Sequence, residues 1–153
     1  MSILQVVKES ALFYELYDEE ILKIVEKCKV LNLEPGQPIF EEGEEGNEIF
    51  LILNGTAQVK RGDLKLAKLR KGDLFGEMVL LKDNVRKASI YADNFTDVLV
   101  VDYDTIFGLY STNNKIFSLI ILNLARLLAT RLHKAGDVIE KLSREAKEKD
   151  KAA

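Results

Sequence analysis

Residues 75–89 have the sequence FGEMVLLKDNVRKAS, which brings a glycine, a short helical run, a carboxylate and a guanidinium close together in the chain. Gly76 lets the backbone approach a ligand because it has no Cβ. The run from Glu77 to Leu81 can begin a helix, whose free N–H groups favour an anion. Arg86 supplies a planar set of donors for phosphate oxygens, and Glu77 can accept from a sugar hydroxyl. These residues predict a site for a ribose and its cyclic phosphate.

The same stretch closely resembles the phosphate-binding cassette of the cyclic nucleotide-binding domain family. The resemblance rests on the Phe-Gly-Glu start, the aliphatic run, an arginine nine residues after the glutamate and a small residue in the next strand. It implies that the ligand is contacted by Phe75, Gly76, Glu77, Met78, Val79, Arg86, Lys87, Ala88 and Ser89. We refer to residues 75–89 as the cassette.

The cassette departs from the family pattern at three positions. Val79 stands where a small residue is usual, Val85 where proline often precedes the arginine, and Lys87 where a small or hydroxyl residue usually follows it. Family members selective for cyclic GMP often carry a hydroxyl residue directly after the arginine. Lys87 therefore favours cyclic AMP as the ligand, with cyclic GMP as the other candidate.

Short apolar runs separated by turn residues extend from Val30 to Asp102, and this texture predicts a β-sandwich or barrel. Asn54-Gly55 lies between two such runs and predicts a hairpin, because a type I′ turn needs positive φ at both central positions. The resemblance covers roughly residues 12–140. It implies a mainly β fold, an eight-stranded jelly-roll β-barrel with flanking helices at both ends.

Helical periodicity marks both ends of the chain. Before residue 30, apolar residues at helix-like separations predict two short helices, and 103–110 predicts another. The helical pattern then continues from 112 to about 147. Within it, a nearly heptad seam consists of Phe117, Ile121, Leu124, Leu128, Leu132, Ala135, Ile139 and Leu142. We expect one domain in all, with a body (1–111), a long helix (112–147) and a frayed tail (148–153).

The seam predicts a homodimer through the long helix, while the alternative is a monomer whose helix folds wholly onto its own barrel. The helix resembles the dimerisation helix of bacterial catabolite-activator-type regulators, in which a helix-turn-helix domain follows. Only eleven residues follow Leu142. We therefore expect either a sensor module without its own DNA-binding domain or a piece of a longer protein, and in both cases the output protein is one that the sequence does not identify.

The middle of the long helix is where the purine of a ligand seated on the cassette would project. Arg131 could stack on the purine or donate to it, and Thr130 could offer a hydroxyl. The alternative is a solvated arginine and a surface threonine. Both residues are candidate ligand contacts.

Composition argues against several other functions. Residues 1–111 carry 13 Lys and Arg against 20 Asp and Glu, whereas 112–153 carry 9 against 5, so the acidic body would repel nucleic acid. With one histidine and one cysteine, we expect no metal site, no catalytic residue and no enzymatic activity. The sequence shows no signal peptide and no uninterrupted apolar stretch of membrane-spanning length. Lone Cys28 fits a reducing cytoplasm.

The sequence thus predicts a cyclic nucleotide-binding sensor that favours cyclic AMP and couples binding to the position of its C-terminal helix. The alternative is a degenerate cassette in which Arg86 pairs with Glu77 and no nucleotide binds. In that case the chain would be a dimerisation or scaffold domain of the same fold.

Overall fold

The computed structural model describes residues 2–77 and 84–152. The strands in these ranges are β1 (Lys29–Leu33), β2 (Pro38–Phe40), β3 (Glu48–Asn54), β4 (Ala57–Arg61), β5 (Leu64–Leu69), β6 (Leu74–Phe75), β7 (Ser89–Ala92) and β8 (Thr96–Asp102). The helices are α1 (Ile3–Glu9), α2 (Asp18–Val25), α3 (Tyr103–Phe107), α4 (Leu109–Thr112) and α5 (Asn114–Ala152). Met78, Val79 and most of the predicted helical run 77–81 lie outside the described residues.

The strands form two four-stranded antiparallel sheets with the orders β1-β8-β3-β6 and β2-β7-β4-β5. This alternation of strands between two sheets is the jelly-roll arrangement, so the predicted mainly β class with flanking helices is confirmed. Among the described residues no strand of one sheet pairs with a strand of the other, so the predicted eight-stranded jelly roll consists of two sheets that are not closed into a barrel. The sheets instead meet through a shared apolar layer that includes Phe50, Phe75, Ile90, Val98 and Val100.

The predicted hairpin at Asn54-Gly55 is also wrong, since β3 and β4 belong to different sheets. Gly55 does have a positive φ of +84°, but its turn carries the chain from one sheet to the other. A Cβ on Gly55 would lie 2.5 Å from the carbonyl oxygen of Phe95. The glycine is therefore needed for close packing against a distant turn, and a local turn signal does not reveal which strands will pair.

The outer face of the first sheet is covered by helices and by the segment that joins α1 to α2. This second core includes Val7, Leu12, Phe13, Leu16, Ile21, Ile24, Ile116, Ile120 and Leu124. The two predicted N-terminal helices are present as α1 and α2, although Leu12 and Leu16 lie in the segment between them. The helix expected over 103–110 is divided into α3 and α4 at Gly108.

Helix α5 begins at Asn114, later than the predicted 112, because Asn113 caps its first turn by accepting from the backbone N–H of Ile116 at 3.2 Å. It continues to Ala152, so residues 148–152 of the predicted frayed tail are helical in the structure. Charged side chains support this exposed end, as in the Arg144–Glu140 pair at 2.5 Å.

The start of α5 is fixed to the body, and its second half is not. Buried Asn123 donates to the carbonyl oxygens of Leu12 (2.9 Å) and Tyr14 (2.8 Å). Leu124 is buried within the protomer, whereas the five later positions of the predicted seam are exposed: Leu128, Leu132, Ala135, Ile139 and Leu142. The helix therefore does not fold wholly onto its own body, and an apolar stripe is left facing outward.

By length and composition alone, α5 is also apolar enough to cross a membrane. Its most apolar window has a mean hydropathy of 1.4, and 22% of that window is buried. The buried residues Ile116, Ile120 and Leu124 pack in the core, and the core helix of a soluble protein passes the same test. This feature is weak evidence for a membrane span.

Candidate functional site

Arg86 lies at the edge of the apolar layer between the sheets and is only 5% exposed. Its guanidinium carbon is 4.2 Å from the ring centroid of Phe40 and 5.5 Å from that of Phe50. Its Nη2 donates to the Glu48 carbonyl oxygen at 3.0 Å and to the Glu48 carboxylate at 3.3 Å, and Nη1 donates to the Gly76 carbonyl oxygen at 3.3 Å. Buried Nε has no hydrogen-bond partner among the described residues. One N–H donor of a desolvated cation thus has no acceptor within this part of the chain.

The backbone around Arg86 is held by the loop before β3. Its N–H donates to the Glu44 carbonyl at 2.7 Å, and its own carbonyl accepts from Gly43 at 2.9 Å. A Cβ on Gly46 would lie 2.5 Å from Nη2 of Arg86, so a glycine is needed there to admit the guanidinium. The sequence analysis did not identify this role of Gly46 or the pairing of Arg86 with Glu48.

Two opposing effects act on the pKa of the Arg86 guanidinium. Burial lowers the pKa of its guanidinium from the usual value, while the carboxylates of Glu48 and Glu44 raise it. Because the ordinary pKa of arginine is so high, the side chain stays cationic at neutral pH. The site therefore presents one buried positive charge among acidic neighbours.

Glu77, which is 8% exposed, does not pair with Arg86. Its Oε1 accepts from Nη1 of Arg131 in α5, and Nη2 of Arg131 donates to the carbonyl oxygen of Leu74. The Arg86–Glu77 pair expected of a degenerate cassette is therefore not observed. Arg131 is also not the solvated arginine of the alternative interpretation, because both terminal nitrogens of its guanidinium donate hydrogen bonds, one to Glu77 and one to the Leu74 carbonyl.

The other predicted site residues that the structure describes range from the core to the surface. Phe75 is a core residue stacked on Phe50 with ring centroids 5.3 Å apart. The hydroxyl oxygen of Ser89 accepts from the backbone N–H of Glu42 at 2.8 Å. Lys87 is exposed and its carbonyl accepts from Arg61 at 3.0 Å, while Ala88 is half-buried.

The structure thus brings Gly76, Glu77 and Arg86 to the region where β6 leads into the cassette. Exposed Thr130 instead donates to the carbonyl oxygen of Arg126, one turn earlier in α5, at 3.0 Å. A cavity of about 200 Å³ adjoins Arg86 and is lined by residues that include Phe40, Glu44, Gly46, Glu48 and Phe50. Its charged lining is mainly acidic, since Glu44, Glu45 and Glu48 stand against Lys29 and Arg86, and the lining includes neither Gly76 nor Glu77.

Gly76 has a φ of +85°, and a Cβ there would lie 2.9 Å from the Glu48 carbonyl oxygen and 3.2 Å from Nη1 of Arg86. Gly72 has a similar φ of +89° with nothing near the added Cβ, so it is a matched control. We expect Gly72→Ala to lower the free energy of unfolding by ~1 kcal/mol through backbone strain, and Gly76→Ala by ~2–4 kcal/mol through strain and crowding. Urea unfolding of both variants checks this, and equal losses would contradict the crowding.

The described residues offer no obvious apparatus for catalysis. Among residues 2–77 and 84–152, no group of three or more His, Cys, Asp or Glu side chains could hold a metal ion. Burial raises the pKa of the Cys28 thiol to about 11, and the thiol donates to the Ile24 carbonyl at 3.3 Å. Cys28 is therefore protonated at neutral pH and is a poor nucleophile.

Comparisons with known proteins agree with this geometry. A sequence model of the family described as "Cyclic nucleotide-binding domain" matches residues 30–113. A cyclic AMP receptor protein from Thermus thermophilus is 33% identical over 141 residues, which are 89% of this chain and 63% of the relative. A cGMP-dependent protein kinase from Toxoplasma gondii is 39% identical over 88 residues, which are 57% of this chain and 9% of the kinase.

A solved structure shows the same fold. The crystal structure of a cyclic nucleotide-binding domain from Methylobacillus flagellatus KT matches with a TM-score of 0.77 at 26% identity, covering 88% of this chain and 79% of that one. The chain spans less than two thirds of the receptor and of the kinase described above. The similarity therefore concerns a domain that these longer proteins share.

Proposed function

The chain belongs to the cyclic nucleotide-binding domain family, and we propose that it is a non-catalytic, cytoplasmic sensor that binds cyclic AMP at its cassette. One observation carries this proposal: Arg86 is buried against Phe40, yet its Nε has no partner among the described residues. A buried guanidinium with an unused donor is costly unless something completes its hydrogen bonding. A cyclic phosphate supplies the acceptor oxygens and the opposite charge.

The remaining contacts follow from the placement of the cassette and from the family resemblance. Glu77 would accept from the ribose hydroxyl, and backbone near Gly76 would approach the phosphate. The further contacts proposed from the resemblance are Phe75, Met78, Val79, Lys87, Ala88 and Ser89. Thr130 and Arg131 are proposed on the side of the base, because the purine would project toward the middle of α5. No metal or other cofactor is needed for binding of this kind.

Cyclic AMP is proposed over cyclic GMP because Lys87 offers no hydroxyl beside Arg86. The relatives named above do not decide between the two nucleotides, because they include both a cyclic AMP receptor and a cGMP-dependent kinase. Calorimetric titration with cyclic AMP, cyclic GMP and 5′-AMP tests the proposal. We expect saturable binding of cyclic AMP, weaker binding of cyclic GMP and the weakest binding of 5′-AMP, which lacks the cyclic phosphate. Absence of binding by both cyclic nucleotides would overturn the function.

A ligand-free dimerisation or scaffold domain is the second candidate. It is favoured by the internal pairing of the two charged groups, since Arg86 already contacts Glu48 and Glu77 already contacts Arg131. The same titration separates the two functions, because a scaffold domain would take up neither nucleotide.

The carboxylate of Glu48 lies 3.3 Å from Nη2 of Arg86, where it would repel an incoming phosphate. Glu48→Gln retains the shape of the side chain and the backbone contact but removes this charge. We expect it to strengthen cyclic AMP binding by about two- to tenfold, a modest gain because the glutamate is partly solvated. Glu140→Gln, on the exposed end of α5, is the control. Weaker or unchanged binding by the Glu48 variant would show that the carboxylate does not compete with the ligand.

We also propose that the chain is a homodimer through α5 and that ligand binding shifts this helix. The exposed stripe of Leu128, Leu132, Ile139 and Leu142 supports the dimer, and the contact of Arg131 with Glu77 supports the coupling. The partners would then be a cyclic nucleotide, a second copy and an output protein of unknown identity. The acidic body argues against nucleic acid, and the core packing of α5 argues against a membrane.

A further inference from the structure

We propose that a cavity between the end of α2, the helices α3 and α4 and the first turn of α5 is a second ligand site, which binds a small anion with a short apolar part. The cavity has a volume of about 220 Å³. None of its described lining residues belongs to the cassette or to the cavity beside Arg86. The inference therefore goes beyond the proposed function and does not depend on it.

The floor of the cavity is apolar. It consists of Ile24, Leu109 and Ile116, which are buried and belong to the core on the outer face of the first sheet. An apolar floor with a few polar groups around it is typical of sites that bury the carbon atoms of a small molecule. At roughly 30 Å³ for each water, the cavity has room for about seven water molecules. The ligand is therefore much smaller than a nucleotide.

The charged groups of the lining are all cations. Lys23 lies in the last turn of α2, and Lys27 follows in the turn after it. Within the described part of the chain, no Asp or Glu lines the cavity, and neither lysine forms an ion pair. Residues 1–111 carry 13 Lys and Arg against 20 Asp and Glu, so such a cavity is unusual in this body. Two ammonium groups beside one small cavity repel each other, and an anion between them would remove that repulsion.

The neutral polar groups of the lining add donors. The Thr112 hydroxyl already donates to the Gly108 carbonyl at 3.1 Å, and Oδ1 of Asn113 accepts from the N–H of Ile116 at 3.2 Å. The Thr105 hydroxyl and the side-chain nitrogen of Asn113 have no hydrogen-bond partner in the ranges that the structure describes. An amide nitrogen only donates, and a hydroxyl can donate. With the two lysines, these groups suit the oxygens of a carboxylate or a phosphate.

Titrations with butyl phosphate, butyrate and uncharged butanol, followed by ¹H–¹⁵N NMR, test the site and distinguish the two head groups. We expect saturable shifts of the backbone signals of Thr105 and Asn113 with the anion whose head group the donors prefer, and no saturable shift with butanol. That anion should bind about tenfold more tightly than its methyl analogue, methyl phosphate or acetate, because about two further CH₂ groups would be buried. Equal binding of the two chain lengths would contradict the apolar floor and overturn the proposal.

Replacing both Lys23 and Lys27 by glutamine should weaken binding of the preferred anion at least tenfold. Lys147→Gln with Lys151→Gln is the matched control, because these lysines are also four residues apart but lie on the exposed end of α5. The control should bind as the parent does. Equal losses in the two double variants would show non-specific attraction and overturn the site.

Two results with the parent protein would also overturn this inference. One is the absence of saturation at tens of millimolar anion, and the other is a set of shifts confined to the surroundings of Arg86, which would place the anion at the cassette. Neither titration contains a cyclic nucleotide. A parent protein that binds neither cyclic nucleotide, yet binds the anion at Thr105 and Asn113, would overturn the proposed function and support this second site.

Discussion

Replacing Arg86 by alanine is expected to reduce cyclic AMP affinity on the order of 30-fold or more, a loss of ~2–5 kcal/mol. The reason is that the guanidinium is buried against Phe40 and would form a charge-assisted pair with the phosphate in a partly desolvated site. Calorimetric titration measures the effect. Arg144→Ala removes a guanidinium from the exposed end of α5 and should bind as the parent does.

Arg86→Lys separates charge from shape. It retains a positive charge but not the planar donors, so we expect it to lose most of the affinity as well. Because Arg86 also contacts Glu48 and Gly76, each variant must first be shown to be folded at the assay temperature, by cooperative thermal unfolding above it. A folded Arg86→Ala variant with parental affinity would refute the assignment of the phosphate site.

Replacing Leu128 and Leu132 together by glutamate is expected to convert a dimer into monomers. These side chains are 41% and 75% exposed in the single chain, and the stripe continues through Ile139 and Leu142. Burial of each such side chain is worth ~1.5–3 kcal/mol, and the sum over two helices can offset association costs of ~4–15 kcal/mol. Two glutamates in the stripe would instead bury unpaired charges.

Analytical ultracentrifugation with and without cyclic AMP measures this effect. Leu64→Glu is the matched control, since Leu64 is an exposed apolar residue on the edge strand β5, away from α5. It should leave the dimer intact. A parent protein that is already monomeric at tens of micromolar, with and without nucleotide, would refute dimerisation through α5.

The sequence predicted site residues and secondary structure best where a residue type has a specific physical property, such as the missing Cβ of glycine or the planar donors of arginine. A glycine followed by a glutamate and, nine residues later, an arginine identified Gly76, Glu77 and Arg86, and the structure brings these residues together. Apolar runs with turn residues between them identified the β region, because a jelly roll needs frequent turns. Apolar periodicity likewise found α5, although not its ends.

The sequence was least informative about long-range partners. Nothing local in Asn54-Gly55 shows that β3 pairs with β8 and β6 instead of β4. In the same way, the partner of Glu77 is Arg131, which lies 54 positions away in the chain, and no spacing rule connects them. Leu124 belongs to the heptad pattern but is buried within its own protomer. The pattern could not predict this, because periodicity does not show which surface covers a helix.

The measurement that most directly tests ligand binding at Arg86 is the ¹H–¹⁵N NMR signal of its Nε–H group, identified by its loss in Arg86→Lys. This atom is buried and has no hydrogen-bond partner among the described residues, so a phosphate that completes its hydrogen bonding must change its environment. We predict a saturable shift of this signal on addition of cyclic AMP, with the side-chain signal of Arg144 unmoved. An Arg86 signal that stays in place at saturating cyclic AMP would contradict the account.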